Sequence, residues 1–448
     1  MNVVFLVLVV AAFAVAAVRQ LTWQVPEGID PAQAVPPMEA LGLGVVDSAE
    51  SAVTLAIGLV GVMALFLGLM KVAEKGGLLT IIARALRPLL TRLFPEVPPE
   101  HPAMGAIILN LSANVLGLGN AATPFGIRAM QQLDRLNPHK GTATNAMALF
   151  LAMNTSSVTL LPTGVIALRA AAGSSDPAGI VPTTLFATIC STTVAIISAK
   201  LLQRYWSLPD VPVDQPAAPE ADDSFLPDEL KQADSEDDDE DQWPTEAPPG
   251  YPLWVSVLVL GGIAALVPLT VIYGRTIAPW IIPGLIVALL GFGALKRVRV
   301  YEVFVEGARD GFSVALRIIP YLVAILVAVG MLRESGALEL LIEPLSQLTR
   351  HVGLPGEALP MALLRPLSGS GAYGVLASII QDPAIGPDSY TGYLVSTFQG
   401  STETTFYVLA VYFGAVQIRR IRHALAAALT ADVVGIMAAV AVVAWLYG

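Results

Sequence analysis

Two polar runs interrupt otherwise apolar sequence in the first half of this chain, and both return in the second half. Asn110-Leu111-Ser112-Ala113-Asn114 is echoed by Pro366-Leu367-Ser368-Gly369-Ser370. Asn154-Thr155-Ser156-Ser157-Val158-Thr159-Leu160-Leu161-Pro162 is echoed by Gln399-Gly400-Ser401-Thr402-Glu403-Thr404-Thr405-Phe406-Tyr407. Polar side chains and broken helices at membrane depth are costly unless they are buried in protein or line a wet cavity. Paired copies in two halves of a membrane chain therefore point to a transport-type site between repeats.

The membrane setting comes from composition. Of the 448 residues 55% are hydrophobic and only 14% charged, whereas soluble domains carry about 25% charged residues. Long apolar runs without strict alternation favour helices over a barrel. The net charge of −11 misleads, because residues 210–246 hold fifteen Asp or Glu against Lys231 alone and the remainder is net positive. No basic stripe interleaved with aromatics suggests a nucleic-acid partner. The single Cys190 excludes an internal disulfide, no Cys/His cluster has zinc spacing, and no cofactor is called for.

Residues 3–18 are apolar and are followed by Arg19. They lack a basic n-region and are long for a signal peptide, so a retained helix is favoured. Further spanning candidates are 51–72, 181–203, 252–273, 277–295, 314–332 and 423–447, with amphipathic segments at 76–94 and 336–351. The regions 104–171 and 357–416 are too rich in Gly, Asn, Ser and Pro to be simple spans. Residues 205–250 are Pro- and acid-rich and read as a disordered linker. The linker separates a first half, 1–204, from a second, 251–448.

The repeat extends beyond the two runs. Lys75-Gly76-Gly77-Leu78-Leu79 parallels Glu334-Ser335-Gly336-Ala337-Leu338 at an offset of 259, and the polar runs follow at offsets of 256 and 245. Charge then orients the halves. Residues 71–92 carry five basic side chains against Glu74, while their counterpart 333–351 carries two against three acids. At the last helix the bias reverses, with Arg419, Arg420 and Arg422 in the second half. Basic flanks favour the cytoplasm, so equivalent loops fall on opposite sides. An extra crossing at 252–273 would invert the second copy. The N-terminus, the linker and residues 296–299 are then expected in the cytoplasm, and residues 19–50 and the C-terminus outside.

Six of the seven residues from Gln399 to Thr405 can hydrogen-bond through side chains, and they are consecutive, which predicts an unwound segment or a helix N-terminus. Gly400 would permit a tight bend. Ser and Thr often merely join helices, but an acid inside such a run reads as functional. Glu403 would neutralise a coupling cation, carry a proton, or accept hydrogen bonds from a solute. Asn154 lies opposite Gln399, Ser156 opposite Ser401, Ser157 opposite Thr402, and Val158 opposite Glu403, which predicts an asymmetric site with its charge from one half. Asn110, Ser112, Asn114 and Asn120 form a second polar group, with Asn110 and Asn114 on one face if helical. Ala121–Gly126 reads as a further break. Arg365 faces an anionic ligand group, pairs with Glu403, or anchors at the interface. His101, His139, His351 and His423 sit near expected helix ends and read as solvated. No nucleophile–base spacing argues for an enzyme.

These residues carry a family resemblance. Asn110–Asn114, Gly117–Pro124 and Asn154–Ser157 resemble the bacterial spore maturation protein A family. Pro320–Val323, Arg365–Ser370 and Gln399–Tyr407 resemble the spore maturation protein B family. The resemblance implies a nucleoside-recognition, or gate, domain shared with concentrative nucleoside transporters, in which a Gln-Thr-Glu run in a helical hairpin holds the ligand. By resemblance Gln399, Thr402 and Glu403 would correspond, although the local spacing differs. It also implies a role in spore-core dehydration.

The expectation is thus an all-α integral membrane protein of the bacterial plasma membrane, with two inverted gate repeats built from spanning, amphipathic and broken or re-entrant helices. It would move a small polar solute by alternating access, with Na⁺ or H⁺ coupled at Glu403. The expected ligand contacts are Asn110, Ser112, Asn114, Asn120, Asn154, Thr155, Ser156, Ser157, Arg365, Ser368, Ser370, Gln399, Ser401, Thr402, Glu403 and Thr404. A non-transporting scaffold or sensor using the acidic linker is the alternative, and homo-oligomerisation stays open.

Overall fold

The computed structural model describes residues 2–24, 34–117, 119–206, 249–338, 340, 344, 346 and 349–448. Thirty-one side chains within that range, Asn120 and those of 266–279 among them, fall outside the description, as do most of the linker and several residues of the expected amphipathic segment 336–351. The described residues are helical, with one isolated bridge between Thr142 and Arg420. In the first half the helices are α1 (Asn2–Leu21), α2 (Pro37–Lys75), α3 (Leu78–Leu93), α4 (Pro102–Leu116), α5 (Gly119–Arg135), α6 (Asn145–Thr155), α7 (Thr163–Ala171) and α8 (Ile180–Leu202). In the second they are α9 (Leu253–Leu295), α10 (Val300–Ser335), α11 (Leu359–Leu364), α12 (Gly369–Gln381), α13 (Tyr390–Ser401), α14 (Thr405–Gly414) and α15 (Ala424–Tyr447).

The two halves repeat one order of elements. A long helix is stopped by glycine: Gly77 follows α2 at φ +85° and Gly336 follows α10 at φ +75°, a left-handed backbone that other residues rarely adopt. Shorter helices follow, α3 to α5 in the first half and, among the described residues, α11 and α12 in the second, then α6 and α7 around one break or α13 and α14 around its counterpart, and finally a spanning helix. Equivalent helices run antiparallel. Gly68 packs on Phe304, Gly311 on Met63 and Ala64, and Gly330 on Ser48, so numbering falls along α2 as it rises along α10. A Cβ on Gly311 would meet the Ala64 Cα at 2.7 Å, so this small residue sets the close approach of the two helices. Likewise the Ser191 hydroxyl donates to the Ala431 carbonyl at 2.9 Å and the Tyr447 hydroxyl to the Gly179 carbonyl at 2.9 Å, which orients α8 against α15.

Among the described residues the apolar clusters draw on both halves. One apolar cluster joins α3 to α6 of the first half with α14 and α15 of the second, and Phe150 stacks on Tyr412 at 5.8 Å. A second joins α11 to α13 with α2, α7 and α8. The exchange is mutual. Three helical segments among the described residues are long and apolar enough to cross a membrane: Pro37–Lys75, Pro177–Leu202 and Ala424–Tyr447.

Several expectations are corrected. The spans at 252–273 and 277–295 are one continuous helix of 43 residues, about 64 Å long at 1.5 Å per residue. Its apolar sequence carries no pair of adjacent breakers at 274–276 sufficient to turn the chain. The span at 51–72 belongs to a helix that starts at Pro37, where proline is tolerated in the first turn. No break occurs at 121–126: α5 runs through Pro124, and the chain turns instead at Gly117, at φ +77°. Gly400 makes no bend either, because α13 continues to Ser401. Its missing side chain admits Thr184, whose Cγ2 would lie 2.9 Å from an added Cβ. His423 is not solvated but 1% exposed at the start of α15.

Candidate functional site

In the first half α4 ends in the glycine turn and α6 ends at Thr155, leaving 156–162 unwound before α7. Asn110 and Asn114 do share a helix. Asn114 Nδ2 donates to Asn154 Oδ1 at 2.9 Å, and Asn110 Nδ2 donates to the Ala122 carbonyl at 2.7 Å. The Tyr412 hydroxyl enters from α14 of the other half. It accepts from Asn110 Nδ2 at 3.3 Å and donates to Asn154 Oδ1 at 3.4 Å. This neutral cluster is held by amide groups, which supply donors and acceptors together.

The second half supplies charge. α13 ends at Ser401, residues 402–404 are non-helical, and Thr404 immediately precedes α14. Arg365 follows α11 and is 4% exposed. One of its terminal nitrogens donates to Thr404 Oγ1 at 2.9 Å and the other to the Thr402 carbonyl. The second nitrogen also lies 3.6 Å from Glu403 Oε2, and the Glu403 side chain is about half exposed. Of the three readings of Arg365, pairing with Glu403 is the geometry observed. Buried arginine is expected to satisfy several acceptors at once.

The two breaks meet. The Glu403 backbone N–H donates to the Thr155 carbonyl at 2.9 Å, an inter-half bond between one unwound segment and the end of α6. Nearby, Thr183 and Thr397 hydroxyls from α8 and α13 bond at 2.8 Å. Of the expected contacts, Asn110, Asn114, Asn154, Thr155, Arg365, Thr402, Glu403 and Thr404 are thereby joined in one connected polar centre. Gln399 is 4% exposed, and its Oε1 has no hydrogen-bond partner among the described residues. Four hydroxyls bond to carbonyls of their own helices: Ser112 to Ile108, Thr155 and Ser156 to Ala152, and Ser401 to Phe398. Ser157 is buried beside them. Ser368 caps α12 by accepting from Gly371 at 3.0 Å, and Ser370 is exposed. The side chain of Asn120 lies outside the described residues.

Three participants escaped sequence reasoning. Tyr412 reads as one more apolar residue of its helix. Asp432 is a lone acid in the apolar run of α15, a signal that was available; its Oδ2 accepts from Thr405 Oγ1 at 2.6 Å. Arg169 is fully buried in α7 and pairs with Asp388 at 3.0 Å across the two halves.

Each end of the molecule joins one loop from each half. At the first end, Arg169 also donates to the Pro387 carbonyl at 2.6 Å, and its guanidinium lies 4.2 Å from the Tyr393 ring centroid. Burial alone would raise the Asp388 carboxyl, but hydrogen bonds from Ser174 and Ser175 and the charge of Arg169 bring it below its ordinary value. At the opposite end residues 141–143 pair with Arg419 and Arg420 through the backbone, and the Arg422 side chain reaches the Ala143 carbonyl and Asn145. There burial, reinforced by Arg422, lowers the His423 imidazole to about 4.

Fold and centre together define a class: a helical membrane protein with a duplicated, interleaved core and a polar centre where paired helix breaks meet. Comparison with known proteins gives the family. The gate family model, described as nucleoside recognition, matches residues 56–172 and 315–419, once in each half. Spore maturation protein A of Bacillus subtilis (strain 168) is 51% identical over 158 residues, 35% of this chain and 79% of that protein. Spore maturation protein B of the same organism is 46% identical over 167 residues, 37% of this chain and 93% of that protein. The chain belongs to the spore maturation protein A and B family and carries both members in one polypeptide. Solved structures that align with it include CNTnw in an inward-facing substrate-bound state, with a TM-score of 0.44, 13% identity and 99% of each chain covered. Another is the YdaH transporter of Alcanivorax borkumensis, with a TM-score of 0.40, 16% identity, and 99% and 97% of the two chains covered.

Proposed function

We propose that this protein moves a small polar, nucleoside-like solute across the bacterial inner membrane by alternating access around the centre just described. The observation that carries this reading is the Glu403–Thr155 backbone bond, which brings the unwound segments of both halves to one place. Unwound backbone lacks internal partners and is tolerated at membrane depth where protein or a wet site satisfies it. Asn114 and Asn154 would meet a heterocycle or hydroxyls through neutral groups, while Glu403, half exposed beside Arg365, would accept hydrogen bonds from the solute. The gate matches in both halves support the solute class.

Antiparallel packing of equivalent helices supports opposite membrane orientations for the two halves. The end formed by 136–145 and 415–423 carries Lys140, Arg419, Arg420 and Arg422 without an acid, whereas the loops at the other end carry Asp176, Asp382 and Asp388. The basic end is therefore assigned to the cytoplasm. A spore-maturation-type role is proposed from the relatives' names.

Thermal-shift screening of the purified chain against nucleosides, small carboxylates and amino acids tests the solute class. A stabilising hit abolished by both Asn154→Ala and Gln399→Ala is expected. No hit from any class, or one indifferent to both substitutions, removes the shared pocket. Coupling at Glu403 is tested by Glu403→Gln in vesicles, which should abolish gradient-driven uptake of that hit while leaving binding in place.

A further inference from the structure

Asp432 lies in the third turn of α15, 2% exposed, bonded to Thr405 just beyond the 402–404 break. Its Oδ2 has one partner, the Thr405 hydroxyl, and its Oδ1 has no hydrogen-bond partner among the described residues. The cationic group acting on it is Arg365, already engaged by Thr404, the Thr402 carbonyl and Glu403. Of the helices packed against α15, α6 carries no ionisable side chain. The others contribute only Cys190 and Lys200 from α8, Tyr390 and Tyr393 from α13, and Tyr407 and Tyr412 from α14.

We propose that Asp432 is a proton-binding site at the heart of the molecule, separate from the solute-facing pair Arg365 and Glu403. A carboxylate buried at membrane depth with half its acceptor capacity unused is costly, and gaining a proton removes that charge. A metal cation would need several oxygen ligands, whereas Asp432 and Thr405 bring one carboxylate and one hydroxyl. A proton needs a single free oxygen, which Oδ1 offers. The step is a plain protonation: the carboxylate takes H⁺, one O–H bond forms, and the Thr405 hydroxyl turns from donor to acceptor or keeps donating to the other oxygen. Thr405 opens α14 directly after the 402–404 break, so the change is delivered to the segment that holds Glu403 against Thr155. That last consequence rests on the transport reading; proton binding itself does not.

The test uses the full chain in lipid vesicles with no solute added. Infrared difference spectra between alkaline and acidic buffer should show a carboxylic-acid carbonyl band from a buried group. Asp432→Asn, close in shape, should remove the band, and Glu403→Gln should leave it. Thr405→Val keeps the carboxyl but removes its hydrogen-bond partner, so it should shift the band's frequency even if Asp432→Asn folds poorly. A band that survives Asp432→Asn, is unmoved by Thr405→Val, or is absent from the unmodified protein overturns the assignment. A band with these properties in a protein that moves no solute would leave the proton site standing and retire only its coupling role.

Discussion

The two ends of the molecule solve one problem in different chemistry. Each must hold a loop of the first half to a loop of the second. At the basic end the backbone does it: Ala143 N–H donates to the Arg420 carbonyl at 3.0 Å, and Arg419 and Arg420 N–H both donate to the Gly141 carbonyl at 2.9 and 3.0 Å. At the acidic end a buried side chain does it, with Arg169 drawing Asp388, Pro387 and Ser396 of the other half around itself. Backbone bonds neither titrate nor vanish on substitution. The buried guanidinium there is ion-paired with Asp388 and acted on by Asp176 as well, so that end rests on replaceable, titratable side chains.

The largest effect is expected from Asp388→Asn, which removes the ion pair of a fully buried cation. Losing one partner of such a pair costs about 3 kcal/mol, and the melting midpoint of the purified protein should drop accordingly. Acidification should sharpen the contrast. His423 has its pKa lowered from 6.5 to about 4, so the unfolded chain takes up a proton that the folded one refuses. Stability should fall as pH drops through that window, and His423→Gln should flatten the slope of melting midpoint against pH. The Asp388 contribution, by contrast, is present above the ordinary carboxylate value and persists to lower pH because its folded value is depressed. Arg422→Gln should cost less, about 1 kcal/mol. It loses bonds to the Ala143 carbonyl and Asn145 Oδ1, each at 3.0 Å, while the backbone pairing remains. Thr183→Val, removing a single hydroxyl pair between halves, should cost about 0.6 kcal/mol. A larger loss from Arg422→Gln than from Asp388→Asn would reverse the comparison.

Much of this architecture is legible in residues. The glycines at 77 and 336 end equivalent helices because a left-handed turn needs them, and their spacing reveals the duplication. The consecutive polar run at 399–405 does unwind, at 402–404, since no helix face can hold so many hydrogen-bonding groups in a row. Asn110 and Asn114 fall on one helix as their spacing requires. What misled was local: Pro124 and Gly400 look like breakers, yet one sits within the second turn of a helix and the other makes room for Thr184. The continuous α9 shows the same limit, because apolar composition does not reveal where a helix stops. Tyr412 and Asp388 were invisible because their partners lie hundreds of residues away.

By itself the sequence determined that this chain is helical and membrane-embedded, that it is duplicated, and that each copy breaks at a polar run, because periodicity, hydropathy and glycine are local properties. Only the tertiary structure decided that the copies interleave into shared cores, that Thr155 meets Glu403, and that Arg169 finds Asp388. Those contacts depend on helices from opposite halves running antiparallel, and no local pattern records which distant carboxylate will meet a buried charge.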